Sequence, residues 1–250
     1  MKIYLIGLLW VIGAALLAGG LAFLARRVGT REGEVDNNEA AGQVFTLVGG
    51  LQAVLLAFVL ISLFDGVSDA DDGSYKEADS LVAAVWAAKA LHASDVAPQA
   101  RAYARQVINE EWPRMREGED VDDTGWNTLA KLRAEVDAAS ATDDWSNGQK
   151  SAAADQLWQV YQARQERLNA ASSTGVNSVV WFALLAGAVL AVALPILFGG
   201  PKPATHIFIV GILGATMALL LFATQQLQNP YGGGADVSPA AFESALDRRR

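Results

Sequence analysis

Four long apolar runs dominate the pattern of hydrophobic and polar positions along the chain. Residues 3–25, 44–64, 176–198 and 207–227 contain no charged side chain. Each run has about the length that a helix needs to cross a hydrocarbon core roughly 30 Å thick. The pattern therefore predicts an all-α, multi-pass membrane protein with four transmembrane helices in contact with the lipid bilayer.

The spacing of these runs divides the chain into four parts. The first run is too long for the core of a signal peptide, and Arg26 and Arg27 follow it directly, so we expect a retained anchor. The predicted parts are a first transmembrane hairpin at 1–65, a soluble acidic helical domain at 66–175, a second hairpin at 176–228 with spans of about 176–198 and 205–227, and a C-terminal tail with a short helix at 229–250.

The segment between the second and third runs is ordinary polar sequence with a strong acidic excess. Residues 66–175 contain 19 Asp and Glu against 11 Lys and Arg, a net charge of −8 that equals the charge of the whole chain. Such a charge disfavours nucleic acid as a partner. The chain has no cysteine, which excludes disulfides and thiolate metal sites.

Apolar residues recur at helical spacing through this acidic segment, which predicts a bundle of helices. We expect its first helix to begin at Ser74, with Glu77 as the capping-box partner, after an irregular acidic stretch around Gly66 and Gly73. Pro113 is expected to kink or end a later helix. Four tryptophans at helical spacing with apolar residues are expected in the bundle core, namely Trp86, Trp112, Trp126 and Trp158.

Residues with catalytic or metal-binding chemistry are sparse. The acidic stretch 65–73 lacks the spacing of a calcium loop, so a solvated junction is the simpler interpretation. Glu110 and Glu111 are adjacent, so on a helix they do not face each other. His92 and His206 have no second ligand at metal spacing. We therefore expect no enzyme, no cofactor and no bound metal.

The second apolar run carries polar and small residues on one side. At about 100° per residue these positions fall within an arc of about 80° over five turns. We call this set the stripe, and it comprises Glu39, Gln43, Thr46, Gly50, Ala53 and Ala57. Gln52 lies on another side of the helix and is expected to hydrogen-bond a neighbouring helix.

Two interpretations of the stripe remain open. It can line the pore of a homo-oligomeric channel, because small residues leave space and Gln and Thr replace part of an ion's hydration shell. It can equally pack against another helix, because Gly and Ala let backbones approach closely in lipid. In a non-conducting sensor or scaffold, the spans would only anchor a helical domain that binds an unknown protein partner.

Several stretches resemble a bacterial membrane family of unknown function that is described as bestrophin-like. They are "GLQAVLLAFVL", "RAYARQVINEEWPRMREG", "RLNAASSTGVNSVVWFALLAGAVL" and "NPYGGGADVSPAAFESAL", of which the "EEWP" and "NPYGG" elements are the most specific. The resemblance implies two spans, a helical domain and two further spans. It also implies a distant likeness to bestrophins, which are pentameric anion channels with a cytosolic helical domain, although Glu39 at a pore mouth would favour cations.

Basic residues near the spans bear on orientation in the membrane, for which a bacterial inner membrane is expected. Equal numbers lie on the two sides, with Arg26, Arg27, Arg31 and Lys202 on one side and Lys2 and 248–250 on the other. Arg26 and Arg27 adjoin the membrane, which favours an extracytoplasmic helical domain. The family resemblance implies the opposite side.

Overall fold

The computed structural model describes residues 2–29, 38–172, 175–198 and 202–247, and these residues are mostly helical, with none in a strand. The helices are α1 (Lys2–Gly29), α2 (Asn38–Ala90), α3 (Val96–Gln106), a π-helical turn (Val107–Glu111), α4 (Trp112–Glu117), α5 (Thr124–Ala138), α6 (Asp144–Ser172), α7 (Ser178–Phe198), α8 (Pro203–Gln226) and α9 (Ala240–Asp247). The all-α prediction is confirmed.

Helices of membrane-spanning length and composition occur where the apolar runs predicted them. The segments are Lys2–Val28, Gly42–Ala90, Ser178–Leu197 and Pro203–Gln226. The chain separates into two compact units, one comprising Met1–Phe64 and Thr174–Gln228, the other Asp65–Ser173 and Asn229–Arg250. We call these the membrane unit and the helical unit. The described part of the predicted tail thus belongs to the helical unit.

Within the membrane unit, α1 packs along α8 in an antiparallel arrangement. Small residues form the contact, so the two backbones approach closely, as is usual for helices in lipid. A Cβ added at Gly214 would lie 2.7 Å from the Cβ of Ala18, and one added at Gly7 would lie 2.7 Å from the ring of Phe222. The contact therefore depends on glycine at Gly214, where the backbone oxygen of Ala14 also lies close, at 3.2 Å from the added Cβ.

The second helix packs against α7 in the same unit. Leu56, Leu63 and Leu184 are buried in an apolar cluster that also includes Val176. The side-chain amide of Gln52, which is only 4% exposed, donates to the Leu184 carbonyl at 2.9 Å. This confirms the prediction that Gln52 bonds a neighbouring helix.

The helical unit has its own apolar core. Many of the positions chosen from helical periodicity are buried, including Leu81, Val85, Leu132, Val136 and Val160. Trp112 is also in this core, as predicted, with 4% exposure.

Two of the four predicted core tryptophans are exposed. Trp86 is 63% exposed and Trp158 is 48% exposed, so the core assignment of these residues is wrong. Each follows directly after a buried residue, Val85 and Leu157 respectively. A step of one residue turns the side chain by about 100° on a helix, which takes both indoles off the buried face.

The predicted break before Ser74 is also wrong. Helix α2 continues through the acidic stretch without interruption, so Gly66 and Gly73 lie in a helix interior. Ser74 is not an N-cap, since its hydroxyl donates to the Ala70 carbonyl one turn back at 2.7 Å. Acidic residues and single glycines lower helix propensity, but only by fractions of a kcal/mol up to about 1 kcal/mol each, which packing can override.

The backbone widens into a π-helical turn just before Pro113. The Trp112 amide donates to the carbonyl of Val107, five residues back. Proline lacks an N–H and cannot complete the ordinary helical pattern at the next position. The regular α-helix is thus interrupted next to Pro113 by a widened turn, which is a common way to insert one extra residue into a helix.

Candidate functional site

The described side chains of the stripe are exposed on the surface of the membrane unit. Gln43, Thr46, Gly50, Ala53 and Ala57 are all exposed. Glu39 lies in the first turn of α2, but its side chain is outside the described part of the structure. Thr46 turns its hydroxyl back to the Gly42 carbonyl at 2.9 Å. The structure therefore leaves this surface uncovered within one protomer.

Side-chain burial divides the membrane part of α2 into three faces. Gln52, Leu56 and Leu63 form the face that packs within the unit. A second face is apolar and exposed, with Leu47, Leu51, Val54 and Phe58 each more than half exposed. The stripe is the third face. The apolar face suits lipid, whereas the stripe carries polar and small residues.

Within the described part of the membrane unit, no other helix packs closely against the glycines of the stripe region. A Cβ added at Gly50 would meet no atom within 4 Å, and the same holds at Gly49 and Gly42. Close helix packing through small residues brings partner atoms into that range, as it does at Gly214. The partner of the stripe is therefore outside the described protomer, whether it is a second copy, water or lipid.

The helical unit contains a second constellation, a buried cluster of ionised groups. Arg167 on α6 donates from Nε to Glu77 Oε2 at 2.7 Å and from Nη2 to Glu77 Oε1 at 3.1 Å. The same Nη2 donates to Glu111 Oε2 at 2.9 Å. Both partners of the Arg167–Glu77 pair are completely buried.

Arg164, one turn earlier on α6, completes the cluster. Its Nη1 donates to both Glu111 oxygens, at 2.8 and 2.7 Å. The Tyr103 hydroxyl donates to Glu77 Oε1 at 2.5 Å. Two carboxylates thus balance two guanidinium groups, and the set is neutral as a whole. We call these five residues the ionic cluster.

Aromatic rings enclose the ionic cluster. The Cζ of Arg164 lies 4.7 Å from the centroid of Trp126, and the Cζ of Arg167 lies 5.7 Å from that of Trp112. The first turn of α5 approaches from another side. There a Cβ added to Gly125 would lie 2.5 Å from Glu111 Oε1 and would also overlap the Arg164 guanidinium. Only glycine fits this position without displacing the ion pair.

Burial and neighbouring charges in the cluster shift the pKa values of Tyr103 and Arg167. Burial, followed by the Glu77 carboxylate, raises the pKa of Tyr103 well above its ordinary value, so the phenol stays protonated. Burial lowers the pKa of Arg167, but Glu77, Tyr103 and Glu111 together outweigh it and the net shift is upward. Tyr103 and Arg167 therefore both keep their protons near neutral pH.

The two most specific motifs in the sequence meet beside this cluster. The Trp112 indole donates to the Val237 carbonyl at 2.9 Å, and its ring packs edge-on against Tyr231 with centroids 5.2 Å apart. The Asn229 amide donates to the Met115 carbonyl at 2.9 Å. Arg116 and Asp236 form an ion pair nearby. The "EEWP" and "NPYGG" elements thus hold the segment after α8 against α4.

Sequence periodicity did not reveal the ionic cluster. Arg164 falls on the apolar side of its predicted helix, which was the available signal for a buried charge. Its partner Glu111 is 53 residues away, and Arg167 and Glu77 are 90 residues apart. Helical spacing identifies neighbours within a few turns and carries no information on such distant pairs.

The remaining candidate residues are not brought together. The described residues contain no group of three or more His, Cys, Asp or Glu side chains that could hold a metal ion. His92 lies in the turn after α2, with a positive φ of 59°, and His206 lies in the first turn of α8. Glu110 is exposed whereas Glu111 is buried, so they do not face each other.

The four apolar helices and the all-α architecture define a polytopic helical membrane protein. A family model described as the bestrophin-like domain matches residues 12–242. The chain belongs to this bestrophin-like family, as its sequence motifs predicted. Neither the curated proteins nor the solved structures that were searched include a significant match to the chain.

Proposed function

We propose that the protein is a homo-oligomeric ion channel whose pore is lined by the stripe of α2. The observation that carries the proposal is the exposure of Gln43, Thr46, Gly50, Ala53 and Ala57 in a membrane segment whose other exposed face is apolar. A ring of copies would bring these faces together around water. The proposal includes a 2+2 arrangement of spans around an inserted helical domain, and it involves no enzymatic reaction.

Polar and small side chains support a water-filled role. In hydrocarbon, the Gln43 amide would lack partners at a cost of about 1–3 kcal/mol, whereas water or an ion's hydration shell satisfies it. Gly50, Ala53 and Ala57 leave space along the same line. Membership of the bestrophin-like family supports the same proposal at the level of a channel-related membrane protein.

Cysteine accessibility tests the water contact directly, because the natural chain has no cysteine. Ala53→Cys and Ala57→Cys should react quickly with a charged, water-soluble methanethiosulfonate, because the reactive thiolate forms only in water. Val54→Cys and Phe58→Cys, on the apolar exposed face, are the matched controls and should react slowly. Equal rates on both faces would contradict a pore along the stripe.

Single-channel recording in planar bilayers tests conduction. Gln43→Leu and Thr46→Leu should lower the conductance or change the ion preference, because they remove polar groups from the pore wall. Leu51→Ile, on the apolar exposed face, should leave both unchanged. Absence of conductance in any salt, or conductance that both leucine variants leave unaltered, would overturn the proposal.

A non-conducting sensor or scaffold is the second candidate function. Three tryptophans of the helical unit support it, since Trp86, Trp145 and Trp158 are each about half exposed or more. Exposed aromatic side chains are characteristic of surfaces that bind proteins. Mass spectrometry of the protein in detergent separates the candidates, because a ring of four or more copies favours the channel and a monomer or dimer favours the scaffold.

A further inference from the structure

A cavity of about 540 Å³ opens between α5 and α6 of the helical unit. It is independent of the stripe and of the proposed channel. Leu129 and Leu157, which are both buried, contribute apolar surface to it, and Arg133 and Gln165 contribute polar groups. A cavity of this size with mostly apolar walls and a few polar groups has the character of a small-molecule site.

Three aromatic rings line the cavity and pack against one another. The indole of Trp158 stacks on the ring of Tyr161, with centroids 5.2 Å apart and only 5° between the planes. Tyr161 also contacts Trp126, at 4.7 Å between ring centroids. Trp158 is 48% exposed and Tyr161 is 43% exposed, so both rings keep apolar surface open. A planar aromatic ligand can cover this surface by stacking.

The rings are held in place before any ligand binds. Trp126 lies against the buried guanidinium of Arg164, whose Cζ is 4.7 Å from the ring centroid. Because Tyr161 packs on Trp126 and Trp158 packs on Tyr161, each ring has a neighbour that restricts its rotation. Side chains that are already ordered lose little conformational freedom when a ligand binds, which favours affinity.

The charge at the cavity is positive. Among the described residues that line it, Arg133 alone carries a charge. Its Nε lies 3.7 Å from Asp137 Oδ2, and both side chains are 59% exposed. An ion pair between solvated groups at this distance is weak, so the guanidinium keeps N–H donors for a further acceptor. A carboxylate matches the fork of a guanidinium, since it accepts two N–H bonds at once.

We propose that this cavity binds a small planar aromatic carboxylate. The rings of the ligand pack against Trp158 and Tyr161, and its carboxylate accepts N–H bonds from Arg133. A cationic ligand fits less well, since no described residue that lines the cavity carries a carboxylate. A saturated ligand of similar volume lacks the flat face that stacks on an aromatic ring.

Calorimetric titration of the full-length protein in detergent micelles with 2-naphthoate tests the proposal, with empty micelles as the blank. Two ligand controls separate the contributions. 2-Naphthamide has the same flat rings without the charge, and decalin-2-carboxylate has the charge without the flat rings. 2-Naphthoate should bind about fivefold more tightly than either control. Equal affinity for 2-naphthoate and either control, or no binding of 2-naphthoate, would overturn the proposal.

Tryptophan variants then locate the site. Trp158→Leu should weaken 2-naphthoate binding about fivefold, because it removes a stacking surface. Trp86→Leu is the matched control, since this indole is also exposed but lies on α2, outside the cavity. The control should leave the affinity unchanged. An equal loss in the two variants would show non-specific adsorption to exposed tryptophan and would overturn the assignment.

Charge variants test the contact with the carboxylate. Arg133→Gln should weaken 2-naphthoate binding about fivefold and leave 2-naphthamide binding unchanged, because it removes the partner of the carboxylate. Arg105→Gln, at an exposed arginine of α3 outside the cavity, should change neither. Asp137→Asn should strengthen 2-naphthoate binding, because Asp137 competes with the ligand for Arg133.

The direction of these two effects distinguishes an anion site from a cation site. Stronger binding in Arg133→Gln together with weaker binding in Asp137→Asn would indicate that the cavity prefers a cation and would overturn the proposal. Thermal unfolding of each variant, followed by circular dichroism, confirms that the helical fold is kept.

Discussion

At the scale of single residues, the ionic cluster determines which side chains can occupy the centre of the helical unit. Burial removes Glu111 and Arg164 from water at a cost of several kcal/mol for each ion, which only close pairing offsets. Removal of one partner would leave the other charge buried and uncompensated. The cluster therefore favours one arrangement of α2, the π-helical turn and α6 over other packings of the same apolar residues.

Substitution of Gly125 tests how closely this arrangement is packed. Gly125→Ala should lower the free energy of unfolding by about 3 kcal/mol, because the added methyl group would displace the Glu111–Arg164 pair. Gly148→Ala is the matched control, since it lies on an exposed part of α6 with open space around it. The control should be neutral or stabilising by up to about 1 kcal/mol. Denaturant unfolding in micelles measures both, and equal effects would contradict the packing argument.

Tyr231 gives the helical unit a dependence on alkaline pH. Burial, the largest cause, raises the pKa of Tyr231 from its ordinary value of 10.0 to about 12. Between these values the unfolded chain releases the proton and the folded chain keeps it, so the stability that is fully present below pH 10 falls as the pH rises. The expected slope is about 1.4 kcal/mol per pH unit.

Tyr231→Phe should remove this contribution, leaving a shallower decline that still includes the raised pKa of Tyr103. The measurement is the free energy of unfolding at a series of pH values from 9 to about 12. Parallel curves for the variant and the wild type would show that Tyr231 has an ordinary pKa in the folded protein.

At the scale of secondary-structure elements, the sequence indicated correctly which stretches are helical. It was less reliable on where each helix begins. Uncharged runs and helical periodicity identified the spans and the buried face that includes Leu81 and Val85, because these signals repeat over many residues. The continuity of α2 was missed, because Gly66, Gly73 and the acidic residues between them resemble a junction locally. The side chains that overrule this local preference, Glu77 and Arg167, come together only in the folded chain.

Substitution of Gly73 distinguishes a continuous helix from a junction. In the interior of α2, with no atom within 4 Å of an added Cβ, Gly73→Ala should raise the free energy of unfolding by about 0.5–1 kcal/mol. At an irregular turn that requires glycine, the same substitution would be destabilising. A loss of stability in denaturant unfolding would therefore contradict a continuous α2.

At the scale of the whole molecule, the structure narrows the question of which neighbour the stripe contacts, a question that the sequence alone left open. Both interpretations required a neighbour for Gln43, Thr46 and Gly50, and the structure shows that this neighbour is not in the described protomer. Periodicity along one chain cannot indicate a second copy, because copies share a single sequence. The sequence also leaves the orientation in the membrane open, because equal numbers of basic residues lie near the spans on the two sides.

Reporter fusions at Arg250 test that orientation. The position of Arg26 and Arg27 next to the membrane favours the cytoplasm for their side, which places the C-terminus outside. A periplasm-specific reporter should therefore be active and a cytoplasm-specific reporter inactive. The reverse pattern would place the helical domain in the cytoplasm.

The close contact of α1 with α8 has a consequence for how the protein is made. Helix α1 leaves the ribosome before α8, yet its glycine and alanine face is completed by Gly214 of α8. At translation rates of roughly 5–20 residues per second, α1 waits on the order of ten seconds or more for this partner. During that interval its small-residue face meets only lipid or the insertion machinery. Nascent chains that stop before α8 should therefore be recognised as incomplete and degraded, even when three spans are already in the bilayer.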